Sequence, residues 1–271
     1  MVEPLDRDSR GILHPASAPI TLDRFPPHGS VARFVDRYWV STWDLPTGVR
    51  HEQQVLVHPV VNLVFEAGGA IASGVDTGRF ATVLEGSGRA LGIMFRPAGF
   101  HPFLHEPLGS LTDKAVPLSG FAALTHLEAI LMPLVADLTT PPAVLAATAD
   151  AALTPLISTA RQPCESTMEW AELAVRNRSL TRVEDLAAAA GVSMRTLQRA
   201  FTHHIGIGPK WFLRRYRIYE AGEQVARHAR VDWAELAADL GYADQAHLTR
   251  DFTSAFGLPP AQYAAKSAER S

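Results

Sequence analysis

Between residues 180 and 256 the chain repeats itself, and any fold it adopts has to accommodate two copies of one structural unit. Leu186-Ala187 recurs as Leu236-Ala237 and Gly191 as Gly241, an offset of 50 residues. With one residue inserted, Leu197, Arg199 and Phe201 recur as Leu248, Arg250 and Phe252. Each copy carries the parts of a helix, a tight turn and a second helix.

In the first copy, Val183 to Ala190 predicts a short helix whose alanine face permits close packing. Gly191 supplies the turn that a side chain would obstruct, and Ser193 is placed to cap the next helix, Met194 to His203. On that helix Leu197 and Phe201, four residues apart, point inward and leave Arg195, Gln198, Arg199 and Thr202 on the outer face. In the second copy Asp232 caps Trp233 to Leu240, Gly241 turns the chain, and Asp244 opens a helix with Leu248, Phe252 and Phe256 inward. Gln245, Ala246, Thr249, Arg250 and Thr253 then stay outside, with His247 at the flank. The outer residues suit base reading. Arg donates twice to guanine O6 and N7, and Gln pairs with adenine N6 and N7, in a major groove wide enough for one helix.

Pro209 starts a helix between the copies that runs to about Arg227. Its 19 residues span roughly 28 Å. That length predicts two outer helices held about one DNA turn, roughly 34 Å, apart, so that one chain reads two adjacent major-groove segments. Arg214, Arg215 and Arg217 on this helix read either as a phosphate clamp or as a solvated face.

The rest of the chain is different in kind. Residues 1–30 are rich in Pro, Gly and polar residues and predict little regular structure, ending in a helix cap at Ser30. Short β-prone runs at 38–43, 60–65 and 91–95 follow, separated by turn residues such as Gly68-Gly69, Gly74 and Gly86, the mark of antiparallel hairpins. Residues 119–158 are poor in charge and dense in Leu and Ala, with Pro133, Pro141, Pro142 and Pro155 as interruptions. They predict two or three helices that cover the sheet or pair with a second subunit. The boundary falls near 160. At 271 residues, with 47% hydrophobic and 20% charged residues, two compact units are expected. Net charge is -3, but residues 161–271 sit near +2 and the remainder near -5, so the basic residues gather toward the repeat.

Residues 180–263 resemble the DNA-binding domain of the AraC family of transcription regulators. The resemblance rests on the stretch from Val183 to Ser193, on Leu197-Gln-Arg-Ala-Phe, Gly208-Pro-Lys, Leu240-Gly-Tyr, His247-Leu-Thr-Arg-Asp-Phe and Phe256-Gly-Leu-Pro-Pro-Ala-Gln-Tyr. It implies base contacts at Arg195, Gln198, Arg199, Gln245, Ala246, Thr249 and Arg250, where Ala246 departs from the usual polar residue and offers only a methyl. Residues 38–121 look like the cupin-like N-terminal domain of a subset of these regulators, through Tyr38-Trp39, His58-Pro59, Asn62-Leu-Val-Phe and Phe95-Arg-Pro-Ala-Gly.

The expected fold is therefore α+β. An antiparallel, cupin-like effector or dimerisation unit with a helical extension occupies residues 1–160, and an all-α double helix-turn-helix unit occupies 161–271. The two motifs lie at about 183–203 and 233–256. Double-stranded DNA is the expected partner, alongside a small-molecule effector, a second copy of the chain and RNA polymerase, with no cofactor. The start of the chain has no apolar signal region, no apolar run approaches membrane length, and a single Cys164 fits a reducing, cytoplasmic setting. A competing reading makes the β unit a metal-dependent cupin enzyme through His51, His58, His101 and His105, but the close His-x-His pair such a barrel needs is absent, and no metal site is expected. Trp39, Trp43, Phe65, Phe95 and Phe100 read as core filling rather than a ligand pocket, and Cys164 as unreactive.

Overall fold

The computed structural model describes residues 20–55, 57–104, 106–227 and 232–268. Eight strands come first: β1 (Ile20–Phe25), β2 (Val35–Asp44), β3 (Arg50–Val55), β4 (Asn62–Glu66), β5 (Gly69–Ser73), β6 (Phe80–Glu85), β7 (Ser87–Phe95) and β8 (Ala115–Pro117). They form an antiparallel sheet in the order β1-β2-β7-β4-β5-β8 and a second ribbon of β3 with β6. The α+β class and the antiparallel β unit are as expected. One expectation fails: Ile20–Phe25 is not part of a loose leader but pairs with β2 from Ile20 opposite Trp43 to Phe25 opposite Tyr38. The strand buries Phe25 and also Arg24, so a charged residue sits where an alternating pattern would show an apolar one. Residues 1–19 of the expected leader lie outside the described residues. Ser30 does precede a 3-10 turn, Val31–Arg33, but its side chain makes no cap hydrogen bond.

Two helices, α1 (Thr125–Ala136) and α2 (Pro142–Leu153), cover the sheet. Leu127, Leu131 and Val135 on α1 and Leu145, Ala149 and Leu153 on α2 are buried. Polar ties fix the cover in place. Buried Arg89 donates to the carbonyls of Asp137, Leu138 and Thr140 in the α1–α2 connection. Tyr38 on β2 donates its hydroxyl proton to Asp150 on α2 at 2.8 Å. Inside, Phe65, Phe95 and Phe100 are fully buried, and Phe95 meets Phe100 edge-on at 5.1 Å, so these aromatics fill the core.

Seven further helices follow among the described residues, counted from α3 (Glu165–Arg176): α4 (Val183–Ala189), α5 (Met194–His204), α6 (Pro209–Arg227), α7 (Trp233–Asp239), α8 (Gln245–Phe256) and α9 (Pro260–Ala268) complete the set. Cys164 is buried at the N-cap of α3, and burial pushes its thiol up to about 11, as suits a packed, unreactive residue. Arg33 clamps the approach to α3, donating to the carbonyls of Ser158 and Ala160 and to Glu165 at 2.7 Å.

The buried residues fall into two cores that do not divide where the elements change type. One runs without interruption from Phe25 through α1 to α5 and ends at Phe212 and Leu213 early in α6. The other begins at Ile218, five residues further along α6 than Leu213, and gathers Leu236, Leu240, Leu248, Phe252 and Phe256. The first helix-turn-helix therefore shares its core with the β unit, while the second has its own.

Candidate nucleic-acid interface

The two motifs are built alike. Ser193 accepts from the Thr196 amide at 3.1 Å and caps α5; Asp244 accepts from the His247 amide at 2.7 Å and caps α8. Asp232 accepts from the amides of Ala234 and Glu235 to start α7. Both turns require glycine, since Gly191 has φ 68° and Gly241 φ 71°, in the left-handed region that costs a side chain about 1 kcal/mol or more.

Both second helices then sort their residues in the same way. Leu197 and Phe201 are fully buried, as are Leu248 and Phe252 to within 1%. Opposite them on α5, Arg195, Gln198, Arg199 and Thr202 are all exposed. On α8, Gln245, Ala246 and Arg250 are exposed and Thr249 is half-buried. At about 100° per residue, the four α5 side chains centre roughly 130° from the buried pair, so they share one face. The arrangement can present two guanidinium groups and an amide to a groove from α5, and one of each from α8.

Of the three linker-helix arginines, only Arg214 is exposed; Arg215 and Arg217 are taken up by backbone carbonyls. Arg215 is 7% exposed, donates to the Gly78 carbonyl at 3.0 Å and lies over the rings of Trp211 and Tyr219. Arg217 donates to the carbonyls of Leu180 and Thr181 at 2.6 and 2.9 Å. Arg214 pairs with Asp251, a buried carboxylate on α8. All three hold α6 to its neighbours, Arg214 while lying on a solvated face.

Other contacts join the β unit to the helices on either side of the same region. His58 stacks on Tyr219 with ring centres 4.5 Å apart, and burial, then Arg37, lowers its pKa to about 4. Thr112 donates to the Gly206 carbonyl at 2.9 Å, and a Cβ at Gly206, whose φ is 93°, would meet Thr112 Oγ1 at 2.9 Å and the Leu108 carbonyl oxygen at 3.0 Å. The β unit thus presses on the end of α5 too closely for a side chain to intervene. A cleft of about 290 Å³ lies where the two units meet, with Arg33, Asp36, Arg96, Glu165, Glu172 and Tyr216 among its walls.

The histidines named in the metal reading are dispersed: His51 faces Gln53 on β3, His58 is taken up by Tyr219, and His105 lies outside the described residues. His101 instead meets His203, which the sequence pattern placed merely at the end of a reading helix, and His204, the residue after it. No helix among the described residues is long and apolar enough to cross a membrane.

Residues 186–266 match the family described as a helix-turn-helix domain, and residues 23–117 match a domain of unknown function, DUF6597. Among curated proteins, an AraC-like transcription regulator of Streptomyces lividans is 37% identical over 81 residues, 30% of this chain and 26% of that protein. The HTH-type transcriptional activator RhaS of Escherichia fergusonii is 32% identical over 77 residues, 28% of this chain and 27% of its own length. The chain thus spans about a quarter of the length of these relatives. A solved structure of ToxT from Vibrio cholerae aligns over 91% of this chain and 97% of its own, at 10% identity and a TM-score of 0.41. The doubled helices, with their matching caps, turns and cores, thus fall in the part of the chain that matches the helix-turn-helix family and is similar in sequence to AraC-like transcription regulators.

Proposed function

We propose that this chain is a sequence-specific DNA-binding transcription regulator and not an enzyme. Residues 161–271 read duplex DNA, and residues 1–160 respond to an effector or a second subunit. The observation that carries the reading is the twice-repeated opposition of a buried Leu-Phe pair to an exposed polar face. On α5 that face is Arg195, Gln198, Arg199 and Thr202, and on α8 it is Gln245, Ala246, Thr249 and Arg250. Arg195, Arg199 and Arg250 would donate to guanine and Gln198 and Gln245 would pair with adenine, while Ala246 and the threonine methyls offer apolar contact to thymine.

An effector acts only through unequal affinity for the states it selects between. The cleft at the junction of the two units suits that role, because its walls come from both. Exposed Ile130 and Val144 on the covering helices support a self-association surface. Contact with RNA polymerase and a cytoplasmic location belong to the same proposal.

Selection of bound sequences from a random duplex pool by the full chain tests it. The expected outcome is a two-part site with half-sites centred about 10 base pairs apart. A pool that stays random, or that yields one undivided half-site, would remove the two-groove reading.

A further inference from the structure

Where the β unit meets the C-terminal end of α5, the contact surface is made of imidazoles. His101 opens the 3-10 turn His101–Phe103, and His203 and His204 close α5. The three rings form a near-equilateral triangle, with centroids 5.0 Å apart for His101–His203, 4.5 Å for His101–His204 and 4.9 Å for His203–His204. One ring nitrogen from each lies within 4.8 Å of the others, the sole such group of three among the described residues.

We propose that His101, His203 and His204 bind one divalent transition-metal ion of the zinc, cobalt, nickel or copper class, through three imidazole nitrogens with the remaining coordination positions open to water. An all-imidazole set selects these ions over magnesium or calcium, which need oxygen ligands. Two features beyond proximity support the assignment. His204 Nδ1 lies 2.7 Å from the hydroxyl of Thr167, a residue 1% exposed on α3. With the Nδ1 proton donated to that hydroxyl, the Nε2 lone pair is free for a metal, and the ring is held in place as metal-binding histidines usually are. In addition, the last turn of a helix carries partial negative charge, which favours a cation there.

Nitrogens bound at about 2.0–2.1 Å stand about 3.3 Å apart in a tetrahedron, so the widest pair must close by up to about 1.5 Å. His203 is exposed and free to turn about its side-chain bonds toward the other two rings. Since His101 belongs to the β unit and the other two to α5, the bound ion would pin the first reading helix to the β unit. Only this consequence for DNA rests on the function proposed above; metal binding is measured without DNA, so the two ideas fail separately.

The experiment is titration of the full, tag-free chain with Zn²⁺ against a chromophoric chelator and with Co²⁺ by visible absorption. We expect about one equivalent per chain and Co²⁺ bands of nitrogen ligation. His203→Ala, at an exposed position, should weaken binding at least about tenfold, and Thr167→Val, which removes only the orienting hydroxyl, about tenfold as well. In the unaltered chain, Zn²⁺ should protect His203 from diethyl pyrocarbonate. Binding below about a tenth of an equivalent at micromolar metal, or binding unchanged in His203→Ala with no protection of His203, overturns the site.

Discussion

Phe201 and Phe252 occupy the same place in the two copies of the repeat, yet their truncation should have different reach. Each is fully buried; Phe201 meets Phe212 edge-on at 5.3 Å, and Phe252 stacks on Phe256 at 4.1 Å with Tyr263 beyond at 5.5 Å. Phe→Ala in a packed core costs about 3–5 kcal/mol, which is a large part of the roughly 5–15 kcal/mol that holds a domain folded. The local losses should therefore be similar. What differs is the company each side chain keeps. Phe201 lies in the core that continues through Leu108 and Leu111 into the β unit, whereas Phe252 lies in the separate core between Ile218 and Phe256. Hydrogen exchange read by segment should show Phe252→Ala loosening residues 218–263 alone. Phe201→Ala should loosen α4 and α5 together with the loop at 106–112 and α3. If both variants lose protection only within their own motif, or if Phe252→Ala spreads into the β unit, the division of the core argued here is wrong.

Arg199→Ala should weaken binding to a selected DNA site by about 1–3 kcal/mol and relax preference at one position, in a binding assay run with specific and random duplexes; equal losses on both would count against base reading. Arg215→Ala should destabilise the chain by about 1–3 kcal/mol in urea unfolding, because it removes a buried charge-assisted hydrogen bond, while leaving the salt dependence of DNA binding unchanged. A salt slope lower by about one, with stability intact, would instead mark Arg215 as a phosphate contact. The folded chain holds His58 near 4 against its ordinary 6.5, so as pH falls from 6.5 toward 4 the unfolded chain takes up a proton that the folded one refuses. Stability should fall in that window. The ring is partly exposed, so the share due to His58 is about 1–2 kcal/mol, and His58→Gln should flatten that part of the pH profile; an unaltered profile would refute it.

The helix-turn-helix units were legible in the sequence because each depends on short-range chemistry: a cap, a glycine at positive φ, and apolar residues four apart. Ser193, Gly191, Leu197 and Phe201 declare themselves within eleven residues. β2, β4 and β7 were legible for the same reason, as dense runs of β-branched and aromatic residues. β1 and β3 were not. Ile20–Phe25 carries Asp23 and Arg24 side by side, and Arg50–Val55 is polar on both faces because it belongs to a two-stranded ribbon with little core behind it. The docking of the β unit on the helices was invisible for another reason. His58 with Tyr219, Thr112 with Gly206 and Arg215 with Gly78 join residues far apart in the chain, and nothing local in either partner signals the other. His203 was hidden by the motif itself, since the helical pattern accounted for it as the end of the helix, and His204, in the last turn of α5, fell just past that expected end.

The two reading helices are coupled to the β unit by unequal means, and that inequality shapes how a signal could travel. α5 touches the β unit directly: Thr112 holds the Gly206 carbonyl, and Leu108 packs where a side chain on Gly206 would stand. α8 meets the β unit only at its C-terminal end, where Arg79 and Gln54 stand beside Gly257, and is otherwise reached through α6, which leaves the shared core at Leu213 and enters the second core at Ile218. Packed cores shift between discrete arrangements rather than deforming smoothly. A change in the β unit would therefore move α5 as part of its own core, while α8 keeps its internal packing and follows α6 as a rigid body. The Arg214–Asp251 pair, which ties α6 to α8 across this junction, makes that body stiff. An effector acting on the β unit should then alter the spacing between the two half-sites more than the bases preferred within either. Selection from duplex pools with spacers one base pair longer or shorter, with and without the effector, separates these outcomes, and a change of base preference at constant spacing would refute the rigid-body account.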